Sequence, residues 1–596
     1  MSIFGSKFDH HRRYEQSSPS HSVTNLINHS TGSNASFRGS RPPSSQNSVS
    51  PYDFDSSRSS SAAPSISDKF PLPPDPTIWG TNISPDQPEE DDALHEPDAK
   101  GGGHIFTTRG LINLGCLAVI LLGLLALFVG YPLITYFQRK GQSRLGGYGT
   151  NASGQVPELP GNRGLIDPDT PADVYFKPSA HNPKVTMQLV FSDEFNVEGR
   201  TFYPGEDPYW EAADLHYWQT NNLEYWDPEA VTTANGALEV TLKEKDTHGL
   251  SYEGGMMSTW NKFCFTGGLV ETSVTLPGRN DVAGLWPAIW ALGNLGRAGY
   301  GASLEGMWPY TYDACDVGTV ANQTFNGEPV NALTHGDPFH GGTLSYLPGQ
   351  RLSRCTCPGE SHPGPKHKDG TFVGRAAPEI DIFEAQVVGT PLVGEVSQSA
   401  QWAPFNHEYY FINTSDTYSI VNSSKSFLNT YVGSVFQQAT SVVSYTNPDC
   451  YEMEKGCFSV YGFEYKPGFD DAYITWISDD EPTWTLLASG MDADPDVQIS
   501  ARPIPQEPMY LIINLGMSEN FGTVDLDNLK FPTKMRVDWI RVYQPKGSIN
   551  IGCDPKDFPT QAYINQYIEA YTNKNLTTWV DDYKQPMPKN RFLGEC

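Results

Sequence analysis

The sequence is poor in charge, and the charge it has is one-sided. Lys, Arg, Asp and Glu make up 18% of 596 residues, and 40 basic residues stand against 69 acidic ones, for a net charge of −29. Without clustered Lys and Arg the chain has no footprint for nucleic acid, and it is ill suited to docking on anionic lipid. Such a balance suits a domain acting on a neutral substrate. Apolar residues are also few, at 38%, while aromatics reach 12%. A large aromatic-rich core and an unfolded portion are therefore both expected in one chain. The first 30 residues contain no apolar core segment, so no cleavable signal peptide is expected. There is no Gly-rich loop to cradle phosphate and no Ser/His/Asp order. Asp492-Ala493-Asp494-Pro495-Asp496 lacks EF-hand spacing and reads as a solvated turn. No metal and no cofactor are expected. From residue 176 on, helical periodicity is absent before residue 560, with one short helix expected near Thr560–Tyr571.

One long apolar run breaks this pattern. Leu111–Phe137 carries no charged residue over 27 positions, and about 20 suffice to cross a hydrocarbon core near 30 Å. A single transmembrane helix is expected there. Residues 1–110 before it read as a disordered tail, with 22 serines and 9 basic against 13 acidic residues. Residues 138–175 read as a Gly- and Pro-rich stalk, 176–545 as the body, and 546–596 as a Cys-containing extension.

Basic residues flanking the run (Lys100 and Arg109 before; Arg139, Lys140 and Arg144 after) lean slightly against a cytosolic tail. The cysteines lean the other way. Eight of nine (264, 315, 355, 357, 450, 457, 553, 596) follow the run, and Cys116 lies inside it. An even count on one side points to disulfides in an oxidising compartment, and the pairing is left open. Cys355-Thr356-Cys357 is too closely spaced for a structural zinc site. Glycosylation acceptors follow at Asn151, Asn322, Asn413, Asn422 and Asn575, although Asn28, Asn34 and Asn82 match the same pattern. The reading is a single-pass type II membrane protein of the secretory pathway (ER or Golgi) and plasma membrane. Its tail is cytosolic and its body lumenal or extracellular.

The body reads as all-β. Short alternating stretches such as 268–276 and 535–543 recur between turn residues, the pattern of a sandwich or jelly roll. The sharpest motif is Glu379-Ile380-Asp381-Ile382-Phe383-Glu384. On a strand Glu379 and Asp381 share a face, but Glu384, five positions on, falls on the other. A one-residue bulge at Ile382-Phe383 restores it, leaving Ile380 and one of the Ile382/Phe383 pair to face the core. Three converging acids suit glycosidic cleavage. One carboxylate attacks the anomeric carbon and another protonates the leaving oxygen, the two about 5–5.5 Å apart for retention. Crowding also keeps one acid protonated. A solvated acidic strand face or a loose calcium site is the alternative. Upstream, Gly284-Leu285-Trp286-Pro287-Ala288-Ile289-Trp290 puts Trp286 and Trp290 on one face, as walls for sugar rings or as core packing.

Glu-Ile-Asp-Ile-Phe-Glu resembles the signature of glycoside hydrolase family 16 in its bulged form. Segments 190–196, 268–277, 284–292, 510–516 and 537–543 follow in that family's order. The whole design resembles the fungal β-glucan synthesis-associated proteins, needed for cell-wall β-1,6-glucan. GLWPAIWALGNLGRAGY at 284–300 is particularly similar. The resemblance implies a concanavalin A-like β-jelly roll with a cleft across its concave sheet. It implies Glu379 as nucleophile, Glu384 as general acid/base and Asp381 assisting. It further implies a β-glucan substrate and glucan-synthesis machinery as partners. Two long insertions, 293–378 and about 403–457, depart from compact members and could cover or reshape the cleft. The function expected is a membrane-anchored, retaining β-glucan glycosidase or transglycosylase in cell-wall β-glucan (β-1,6-glucan) biosynthesis and cell-wall organisation, with a non-catalytic glucan-binding or synthase-scaffolding protein and a laminarinase-like endo-β-1,3-glucanase as the alternatives.

Overall fold

A computed structural model of the chain describes residues 108–131 and 164–596. The expected tail, but for its last three positions, lies outside these residues, as do 138–163 of the expected stalk and Asn151. The described residues fall in two compact units. The first holds an α-helix, Thr108–Leu125, continued by one π-helical turn, Ala126–Gly130. Among the described residues no helix is long and apolar enough to cross a membrane. The single span expected over 111–137 is therefore not supported. Residues 132–137 of that expected span lie outside the described residues.

The second unit is a β-sandwich. In chain order its longer strands are β1 (Thr186–Asp193), β2 (Ala237–Thr247), β3 (Leu250–Ser258), β4 (Gly268–Thr275), β5 (Trp286–Gly293), β6 (Glu379–Val388), β7 (Val393–Trp402), β8 (Gln437–Tyr445), β9 (Ser459–Lys466), β10 (Tyr473–Ser478), β11 (Glu481–Leu487), β12 (Met509–Gly516) and β13 (Thr533–Pro545). One sheet runs β3–β12–β5–β6–β7–β8, antiparallel throughout. The other runs β1–β13–β4–β9–β10–β11, also antiparallel. β2 pairs with β13 of one sheet and β3 of the other, so the sandwich nearly closes along that side.

Alternation along each strand fills the space between the sheets. Ile289 and Ala291 of β5, Val396 and Ala400 of β7, and Leu511, Ile513 and Leu515 of β12 meet Val270, Phe463, Ile474 and Trp476 there. The opposite face of the first sheet carries the acids. The expected helix near 560 is present as two short pieces, Gln561–Gln566 and Ile568–Thr572.

The first insertion and the C-terminal extension pack on each other. Ala302, Leu304, Met307 and Trp308 share a buried cluster with Tyr563, Tyr571 and Trp579. Four disulfides are formed: Cys264–Cys553, Cys315–Cys355, Cys357–Cys596 and Cys450–Cys457. Two of them bind the extension to the body, and Cys116 is free.

Candidate active site

The acid strand β6 is bulged where its spacing predicts. Against β5, Ile289 pairs with Phe383 and Trp290 with Asp381, so Ile382 is skipped. Against β7, pairing jumps from Ile380 to Glu384 while the partner moves from Ala400 only to Ser397. The extra residue turns Glu384 back to the face of Glu379 and Asp381. Both Ile382 and Phe383 enter the core, each fully buried, rather than the one of the pair expected from alternation. A bulge loosens the ladder and strands backbone carbonyls. Here the core supplies donors. The Trp476 indole donates to the Asp381 carbonyl at 2.8 Å, and the Gln398 amide donates to the Ile382 carbonyl at 3.1 Å.

Glu379, Asp381 and Glu384 line one pocket with Trp286, Trp290 and Asn514, faced by Tyr217, Asn222 and Trp226. The acids are 7%, 1% and 9% exposed. The Trp308 indole donates to Glu379 Oε2 at 2.6 Å, and the Trp286 indole to Glu384 Oε1 at 3.0 Å. Asp381 Oδ2 accepts from Ser399 Oγ at 2.6 Å and Gln401 Nε2 at 2.9 Å, both on β7. Trp290 donates to Asn514 Oδ1 at 2.7 Å, and Trp286 stacks on Phe521 at 4.2 Å between ring centres. The pocket is narrow, about 40 Å³, room for about three water molecules.

Burial raises all three acids. Glu379 is held well above the carboxylate range by burial, then by the charges of Asp381 and Glu384, against the Trp308 bond. Glu384 is raised likewise by burial and by Asp381, against Trp286. Burial pushes Asp381 to about 6, moderated by Ser399 and Gln401. Three acids so placed cannot all ionise near neutrality, and their titration belongs to the row rather than to single residues. At least one proton therefore stays on the row at neutral pH, which a general acid requires.

Every acid and both tryptophans singled out in the sequence meet in this pocket. Asn322, Asn413, Asn422 and Asn575 are exposed. Sequence reasoning missed Trp308, Tyr217, Asn222 and Trp226. Trp308 sits in an insertion with no strand pattern to aim it. Asn514 carried a usable signal, as the one polar residue in Leu511-Ile512-Ile513-Asn514-Leu515.

The model of the family "Beta-glucan synthesis-associated protein SKN1/KRE6/Sbg1" matches residues 81–596. The chain belongs to this family. Among its relatives, the beta-glucan synthesis-associated protein SKN1 of Candida albicans is 42% identical over 527 residues, covering 86% of this chain and 67% of its own. KRE6 of Saccharomyces cerevisiae is 40% identical over 528 residues, covering 86% and 69%. Among solved structures, the catalytic domain of an endo-1,3-beta-glucanase (laminarinase) from Thermotoga petrophila RKU-1 is 19% identical. That match covers 61% of this chain and all of the other, with a TM-score of 0.35.

Proposed function

We propose that this family member is a β-glucan glycosidase or transglycosylase working in cell-wall β-glucan (β-1,6-glucan) biosynthesis, by retaining double displacement. One observation carries the reading: a bulge brings Glu379, Asp381 and Glu384 to one buried pocket, with an indole donor on each glutamate. Glu379 attacks the anomeric carbon while Glu384 protonates the departing oxygen. Glu384 then takes a proton from water or an acceptor hydroxyl as the bond to Glu379 breaks. Asp381, on the same face as Glu379 and fixed by Ser399 and Gln401, adjusts the nucleophile's charge between the steps. Trp286 and Trp290 wall the sugar site.

The uncharged run 111–137 supports a tether to the membrane, and the four disulfides support a lumenal or extracellular body. In the ER, Golgi or plasma membrane, the exposed Asn322, Asn413, Asn422 and Asn575 are then acceptors for glycans, and Asn151 is a further acceptor on its sequence motif. Partners would be the glucan itself and the machinery that makes it.

The test is release or transfer of labelled β-1,3- and β-1,6-gluco-oligosaccharides by the purified chain. Glu379→Gln should lower turnover by about 10³-fold or more; equal rates for the two forms would end the reading. A second reading, a glucan-binding or synthase-scaffolding protein, is favoured by the narrowness of the pocket. Full rescue of a normal wall by Glu384→Ala, in a strain lacking the protein, would select it.

A further inference from the structure

Next to the acid pocket the same sheet face opens into a wider groove of about 520 Å³. Its walls include Phe427, Asn429, Tyr431 and Phe521, and its floor includes Glu395 of β7. The two spaces share a wall, because Phe521 stacks on Trp286, the residue that donates to Glu384. Tyr431, on the groove's other side, feels the charge of Glu384. The groove therefore lies on the Glu384 side of the acid row.

Glu395 is the unusual residue here. It is 8% exposed, it lies on the same face of β7 as Ser397, Ser399 and Gln401, and its carboxyl meets no hydrogen-bond donor among the described residues. Its oxygens are not among the fully buried unpaired atoms of the described residues, so the carboxyl opens onto the groove, where a ligand's hydroxyls can bond to it. Beside it stands an aromatic surface. Tyr445, directly across the ladder from Glu395, touches Phe427 at 5.7 Å between ring centres. The two rings are 47% and 40% exposed. An aromatic face next to an unpaired carboxyl fits a neutral sugar, whose C–H patch stacks while its hydroxyls bond. Phe427, Tyr431 and Tyr445 all come from the second insertion.

We propose that this groove binds the acceptor glucan chain, with Glu395 bonding its hydroxyls and Phe427–Tyr445 carrying a ring. The inference rests on the proposed function, in which Glu384 is the acid/base. The acceptor must then approach from Glu384's side. Its hydroxyl proton passes to Glu384, its oxygen bonds to the anomeric carbon, and the bond from that carbon to Glu379 breaks, freeing the carboxylate. Burial raises Glu395 to about 7, so near neutrality it can donate as well as accept.

The experiment is calorimetric titration of the full chain carrying Glu379→Gln, so that no substrate is consumed, with β-1,3- and β-1,6-linked gluco-oligosaccharides. Adding Glu395→Ala or Phe427→Ala should weaken binding of at least one series about tenfold. Removing Glu395 strands no partner, so the thermal midpoint should not fall, and the exposed Phe427 gives an independent second variant. Unchanged affinity in both variants, or no binding by the parent, overturns the inference. The readout needs no turnover. A chain that binds but never cleaves would sink the proposed function alone, and a chain that cleaves with unaltered binding in both variants would sink the groove alone.

Discussion

At the scale of single residues, two side chains test the electrostatics. The Trp308 indole bonds to Glu379 at 2.6 Å and favours its ionised form. Trp308→Phe should raise Glu379 further. The acidic limb of kcat/KM, which requires an ionised nucleophile, then moves to higher pH, and turnover falls on the order of 10²-fold. A pH–rate profile checks this; lost activity with an unmoved limb would assign Trp308 to packing alone. Glu395 tests linkage. Its pKa in the folded chain, about 7, stands above its unfolded value, so the fold holds a proton that the unfolded chain releases. The associated stability is present below the unfolded pKa and is lost as pH rises through 7. Glu395→Gln removes that loss. Denaturant unfolding should find the variant gaining on the parent between pH 4 and 8, by on the order of 1–2 kcal/mol after solvent screening. The acids were legible in the sequence because strand alternation is a strict rule and Glu384 breaks it visibly. Trp308 was not, because nothing local in an irregular loop says that it returns to the acid-bearing face.

At the scale of elements, the bulged strand β6 depends on the opposite sheet and on its neighbour β7. Its freed carbonyls at Asp381 and Ile382 are met by Trp476 of β10 and Gln398 of β7. Gln398 also bonds the Ile477 carbonyl at 2.8 Å and accepts from Thr483, so one amide ties the acid strand to both sheets. Gln398→Leu leaves these groups buried and unpaired, at a cost of about 1–3 kcal/mol. Turnover should fall with it as the acid row loses its register. Equilibrium unfolding and kcat measured together check this, and a variant of parental stability would show that the bulge needs no such support. The bulge itself was legible from the odd spacing. Its donors were not, since Gln398 and Trp476 are 78 residues apart and only folding brings them together. The strand pattern likewise gave the all-β class but not the sheet order, which long-range pairing decides.

For the whole molecule, the additions to the sandwich work as one body. Trp579 of the extension is 2% exposed, packs under Arg351 at 3.8 Å, and shares a cluster with Trp308. Trp579→Ala should cost about 3–5 kcal/mol, visible as a lower thermal midpoint. It should also reduce turnover from outside the pocket, by loosening Trp308. Counting cysteines showed that disulfides form but not which, because pairing follows from the fold; Cys357 and Cys596 meet across 239 residues. The central claim is that the bulged row makes and breaks a covalent bond to sugar. The most direct measurement is peptide mapping by mass spectrometry after incubation with an activated 2-deoxy-2-fluoro β-gluco-oligosaccharide, which slows release of the trapped sugar. The account predicts one sugar adduct, on Glu379, absent in Glu379→Gln. An adduct on Glu384, or none under conditions where the chain transfers glucan, would contradict it.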